Sequence, residues 1–234
     1  MTKRAPVNVA ASVRARLEKV ARDRNVEVQL ILSEFAIERL LYRLGASPYA
    51  ERFVLKGATL FKLWTGQRHR ATWDLDLLGR GEESVEAVVS VIRELCAMPG
   101  QDGIDFDLAS ITGEEIRALD EYGGVRVRLV ARLGQARIPV QIDVGFGDAV
   151  TPGASWQTCP TLLGQAPPRI LVYPRETVLA EKLEAMVSLG VTNGRMKDFY
   201  DMHVLASSFE FEGPLVVAAG SCDVRAPSHL LSRG

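Results

Sequence analysis

Asp74 and Asp76, in the stretch Thr72-Trp73-Asp74-Leu75-Asp76-Leu77-Leu78, have the spacing that most directly suggests chemistry. Polar and apolar residues alternate there. This predicts a strand with Leu75 and Leu77 on one face and both carboxylates on the other. Two carboxylates about 5 Å apart repel by roughly 3 kcal/mol at an effective dielectric of about 20. Water on an open face screens that repulsion, whereas a cleft needs a cation to hold both charges. The stretch Pro139-Val140-Gln141-Ile142-Asp143-Val144 repeats the pattern, with Val140, Ile142 and Val144 on one face and Gln141 and Asp143 on the other. If both strands join one sheet, Asp74, Asp76 and Asp143 share a surface. Their hard oxygen donors suit Mg2+, which keeps several waters and bridges phosphates. The competing reading for each aspartate alone is a solvated strand face.

Four weaker signals accompany these acids. Lys56-Gly57 lies between an apolar strand (Phe53 to Leu55) and a helix start, where backbone N–H groups and a cation can meet a triphosphate. Thr72 either touches a ligand or hydrogen-bonds within the start of its own strand. Lys182 falls on the apolar stripe of a helix, where a lysine often snorkels to water. Asp198 and Asp201 share a helix face with Arg195 and Lys197 nearby, a pattern usually solvated.

The elements that must position these residues are legible from periodicity. Asn8 is a helix cap before Val9, Val13, Leu17 and Val20. A second helix runs through Leu30, Phe35, Ile37, Leu40, Leu41 and Leu44, with Gly45 as its expected stop. A further helix spans Val85 to Leu95. Three more strands are predicted at 104–111, 124–133 and 137–148, the last two separated by Gly134-Gln135, which suggests a hairpin turn. Residues 164–174, rich in proline, read as a connector between lobes. Two helices follow, around Lys182 and around Asp198, joined by an Asn193-Gly194 turn. The expected organisation is an N-terminal helical segment over 1–48, a mixed α/β core over 49–160, a helical lobe over 161–217 and an irregular tail over 218–234.

Composition narrows the class. The chain has 234 residues, 47% of them apolar and 24% charged, as in ordinary soluble globular proteins. Its net charge of −1 argues against wholesale nucleic-acid binding, although residues 1–45 carry a modest basic excess. Three unpaired cysteines fit buried thiols in a reducing cytoplasm, and neither a signal peptide nor a long apolar run is visible. The expectation is a cytoplasmic protein with no membrane partner.

The ordered set FVLKGATLFKLWTG…RATWDLDLLG, VQIDVGFGD, ETVLAEKLEAMV and NGRMKDFYD resembles the AbiEii/AbiGii-type nucleotidyltransferase toxin family, which includes MenT-like toxins. The resemblance covers roughly residues 8–212. It implies a polymerase-β-like nucleotidyltransferase core with a mixed sheet, N-terminal helices and a C-terminal helical lobe. It also implies a toxin of a toxin–antitoxin pair that transfers NMP from NTP, often a pyrimidine nucleotide, to the 3′ end of tRNA and so blocks translation. Two magnesium ions are the implied cofactors, and a winged-helix DNA-binding antitoxin is the implied companion.

By position, Asp74 and Asp76 match the family's metal pair and Asp143 its third acidic strand position. Lys56 and Gly57 match the phosphate turn, Lys182 the lysine of the helical lobe, and Asp198 the acid of the closing motif, with Asp201 beside it. Trp73 stands where a basic residue commonly precedes the first aspartate. On this reading Lys182→Ala folds normally and weakens NTP binding. The competing functions are nucleotidylation of a protein or small molecule, and a non-catalytic regulator that binds nucleic acid through residues 1–45.

Overall fold

The computed structural model describes residues 8–67, 69, 71–116, 123–190, 194 and 196–223. The chain forms two compact units, Met1–Gly147 with Trp156–Leu171, and Asp148–Ser155 with Val172–Gly234.

The first unit is a seven-stranded mixed sheet under helices. Its elements are α1 (Val9–Asp23), α2 (Val28–Gly45), β1 (Phe53–Lys56), α3 (Thr59–Thr65), β2 (Asp74–Gly79), α4 (Val85–Ala97), β3 (Asp105–Ile116), β4 (Gly124–Leu133), β5 (Ala136–Gly145), β6 (Ser155–Thr158) and β7 (Arg169–Val172). The strand order is β3-β4-β5-β2-β1-β7-β6. β2 runs parallel to β5 and antiparallel to β1, and β3, β4 and β5 form an antiparallel meander. Strict alternation decides which face is covered. Leu75, Leu77, Val125, Val127, Leu129, Val140, Ile142 and Val144 are all buried, on the face that packs beneath helices. The hairpin turn falls at Gly134-Gln135 as expected, with Leu133 opposite Ala136 and Gly134 at φ +60°, a left-handed value that glycine adopts freely.

α1 begins at Asn8, whose side chain accepts the Ala11 N–H at 3.0 Å. α2 is buried nearly all round, so it carries charges inside. Arg39 donates to the Glu38 carboxylate at 2.7 Å and to the Ala166 carbonyl, and the second Glu38 oxygen accepts the Leu162 N–H at 2.7 Å. These bonds hold the 159–168 loop against α2. Burial raises the Glu38 pKa above its ordinary 4.5, against the lowering effect of the Leu162 N–H and Arg39. Truncating one partner strands the other, so Glu38→Ala is expected to cost about 3–5 kcal/mol in a denaturant melt. The pH dependence has a definite sign. A raised folded pKa means that the native state binds the extra proton, so stability falls as pH rises from 4.5 through the raised value. Wild type should lose stability relative to Glu38→Gln over that window, and parallel curves would contradict the assignment.

The structure corrects several sequence expectations. Gly45 is the last residue of α2 rather than the stop beyond it, and Ala46 caps the helix in a right-handed conformation. Glycine is required there because a Cβ would overlap the Arg169 carbonyl of β7. Residues 164–174 are more than a connector. Arg169-Ile170-Leu171-Val172 is a strand between β1 and β6, its flanking prolines confined to the strand's outside. The N-terminal helices lie within the first unit, where α1 packs on α2, and α2 on β5.

The second unit contains α5 (Arg175–Leu189), α6 (Met196–Ser208) and α7 (Gly213–Asp223), with α6 and α7 both packed on α5. The irregular tail expected from residue 218 is helical as far as Asp223, and Ala219 is buried. The stretch Pro214-Leu215-Val216-Val217-Ala218-Ala219 lacks amphipathic period, yet proline in the first turn and packing on α5 suffice for a helix. The rest of that tail, and Asn193 of the expected 193–194 turn, lie outside the described residues. Cys96 and Cys159 are buried free thiols, their pKa values pushed up by burial to about 12 and about 11. No helix among the described residues is long and apolar enough to cross a membrane.

Candidate active site

On the polar face of the first unit's sheet, strand register lays out a row of charge. Lys56 of β1 is opposite Asp76 of β2, which is beside Asp143 of β5. Asp143 is opposite Arg126 of β4, which is opposite Glu114 of β3. One register step away, Asp74 lies beside Gln141, which is opposite Arg128. Neighbouring strands are about 4.8 Å apart, so Asp76 and Asp143 are cross-strand neighbours on one face, with Asp74 next along its strand. Sequence alternation put the three acids on one surface, and the sheet order makes them neighbours.

The row also contains a residue that the sequence reading missed. Arg126 Nε donates to Asp143 Oδ1 at 2.8 Å and Arg126 Nη2 to Asp143 Oδ2 at 2.7 Å, a bidentate pair that leaves both carboxylate oxygens engaged. Gln141 Nε2 adds a weaker bond to Asp143 Oδ2 at 3.3 Å. Hydrogen bonding to Asp143 raises the Arg126 pKa against partial burial, and the charges of Asp143, Asp74 and Glu114 add to it. A signal for Arg126 existed. Counting back from a two-residue turn at 134–135 pairs residue 126 with residue 143.

Gly57 follows Lys56 at φ +73°, and any Cβ there would overlap the Asp76 carboxylate. The chain is therefore held against that acid as closely as backbone allows, a cradle only glycine forms. Ala58, the residue capping α3, supplies no side-chain bond to the helix start. The Thr72 hydroxyl donates to the Asp74 carbonyl at a long 3.4 Å. It also lines a cavity of about 70 Å³ shared with Glu34, Lys62 and His69. Trp73 is 43% exposed.

A divalent cation fits part of this set well. Asp74 and Asp76 offer hard oxygen donors from one strand face, the number of carboxylates a magnesium ion usually takes from protein before water and phosphate complete its shell. Among the described residues no three acidic, cysteine or histidine side chains are preassembled as a cage. Asp143 is adjacent but closed on Arg126.

The second unit brings together the other three candidates. Lys182 Nζ lies 3.0 Å from Asp198 Oδ1 and 2.8 Å from Asp201 Oδ2. Asp198 and Asp201 are 6% and 1% exposed, so the solvated-face expectation is wrong and Lys182 does not snorkel. Its ammonium is drawn in by two carboxylates across the α5–α6 interface.

The mixed sheet with its flanking helices is a nucleotidyltransferase fold. It matches the solved structure of a protein from Helicobacter pylori described as a candidate nucleotidyltransferase, with a TM-score of 0.53 at 19% identity over 87% of this chain and 86% of that one. It also matches JHP933 from Helicobacter pylori, with a TM-score of 0.51 at 17% identity over 78% and 68% of the two chains. Among proteins of curated function, none matches this sequence significantly. Residues 39–226 match the family described as nucleotidyl transferase AbiEii toxin, type IV toxin–antitoxin system, and the chain belongs to that family. It is thus a toxin-type nucleotidyltransferase, and membership implies an NTP substrate and a cognate antitoxin.

Proposed function

We propose that the protein transfers NMP from an NTP to the 3′-hydroxyl of an RNA, with the tRNA 3′ end as acceptor and pyrimidine nucleotides as donors, and thereby blocks translation. The observation that carries this reading is the Asp74–Asp76 pair on one face of β2, in register with Asp143, in a chain of the AbiEii family. Asp74 and Asp76 would hold magnesium, two ions being expected with substrate bound, and Gly57 fixes the Asp76 side of that site by keeping the backbone against it. Bound magnesium would neutralise triphosphate charge and favour departure of pyrophosphate. Lys56, opposite Asp76, supplies a cation on the same face for phosphate oxygens. Asp143 is the candidate to take the proton of the acceptor hydroxyl or to complete the cation's ligands, and either role requires its pair with Arg126 to open.

In the helical unit, Lys182 with Asp198 and Asp201 is read as the family's nucleotide-handling motif, the ion pairs fixing the ammonium. A winged-helix DNA-binding protein is the proposed antitoxin. The acceptor is tested directly with labelled NTP and purified tRNA whose 3′ end is either free or blocked. Label in the free-ended tRNA alone supports the reading. Equal labelling of both, or of neither while another RNA is labelled, would contradict a tRNA 3′ acceptor.

A further inference from the structure

We propose that Arg126 is a built-in stand-in for the metal: its guanidinium holds both oxygens of Asp143 and must release them for that carboxylate to join Asp74 and Asp76 on a divalent ion. The proposal rests on the metal-site reading above and adds a regulatory residue to it. Three observations carry it. First, both Asp143 oxygens are taken by Arg126 at 2.7 and 2.8 Å, so the carboxylate cannot turn to Asp76 without breaking two charge-assisted bonds. Second, the guanidinium sits in the field of Asp74 as well as Asp143, which is where a cation shared by those acids would act. Third, Arg126 has somewhere to go. Its side chain is 29% exposed, and its other cross-strand neighbour is Glu114, now paired with Arg128 at 2.7 Å on an exposed part of the sheet. Release of Asp143 would turn Arg126 toward solvent and toward Glu114, which it would share with Arg128.

A residue that merely orients Asp143 for the metal would have the opposite effect when removed, and this makes the proposal testable without any activity measurement. The probe is Mn2+, titrated by calorimetry or by paramagnetic broadening into the full chain without nucleotide. Arg126→Gln removes the competitor and is expected to tighten Mn2+ binding about tenfold, as the loss of a charged hydrogen-bonded rival implies. Arg126→Lys keeps the charge but not the fork, and should tighten it less. Arg128→Gln removes the same charge one register step away. It controls for general field effects and should change affinity by less than about twofold.

Asp76→Asn separates the two ideas. If it leaves Mn2+ binding unchanged, the metal site itself is misplaced and the Arg126 proposal falls with it. If it abolishes binding while Arg126→Gln and Arg126→Lys bind Mn2+ no more tightly than wild type, the stand-in role alone is overturned. Equal tightening in Arg126→Gln and Arg128→Gln would also overturn it, because the effect would then be one of net charge.

Discussion

Replacing Asp76 with asparagine is expected to lower nucleotidyl transfer by about 10³-fold, equivalent to roughly 4 kcal/mol of transition-state stabilisation. The fold should hardly notice. Asp76 is flanked across the sheet by Lys56 on one side and Asp143 on the other, so removing its charge loses one attraction and one repulsion. Asparagine keeps the shape that Gly57 packs against. Thermal melting without metal should therefore shift by no more than about 1 kcal/mol. Mg2+ is expected to stabilise wild type by binding its native state, and in the variant that stabilisation should largely vanish. A structural aspartate would show the reverse, with lost stability and near-normal turnover of the folded fraction. Paired melts and transfer assays separate the two cases.

The second large effect is expected at Lys182. Its ammonium pairs with two carboxylates that are almost fully buried. Lys182→Ala leaves both with less compensation, a situation that typically costs about 3–5 kcal/mol. A helical unit of this size has little stability to spare, so the variant is expected to lose helix α6 from α5 before it says anything about nucleotide affinity. This reverses the expectation drawn from sequence, where the lysine looked removable. Lys182→Ala melting within 1 kcal/mol of wild type would contradict the buried-pair account.

The contrast between these two sites shows what the sequence makes legible. Period-two alternation is a local property, and it placed Asp74, Asp76 and Asp143 on one polar surface correctly because one face of each strand must be apolar to be covered. The order β5-β2-β1 that makes Asp143 and Asp76 neighbours comes from long-range pairing, which alternation does not encode. Arg126 was within reach of sequence reasoning, since a two-residue turn fixes hairpin register and residue 126 follows by counting. The buried state of Asp198 and Asp201 was not. Spacing by three puts them on one helix face, but only the partner helix decides whether that face meets water or Lys182. β7 was hidden by composition, because prolines at 168 and 174 look like a linker until Ile170, Leu171 and Val172 between them are seen to form a strand beside β1. Gly45 was assigned the wrong reason, a stop instead of a close approach by Arg169, because both look the same in one dimension.

The central claim is nucleotidyl transfer to RNA through the Asp74–Asp76 face, and one measurement addresses it most directly. The protein is incubated with each α-labelled NTP, Mg2+ and total cellular RNA, beside the Asp76→Asn variant, and the label is located. The account predicts label at RNA 3′ ends with wild type and its near absence with the variant. Label found only in protein or small molecules, or RNA labelling that survives Asp76→Asn undiminished, would contradict it.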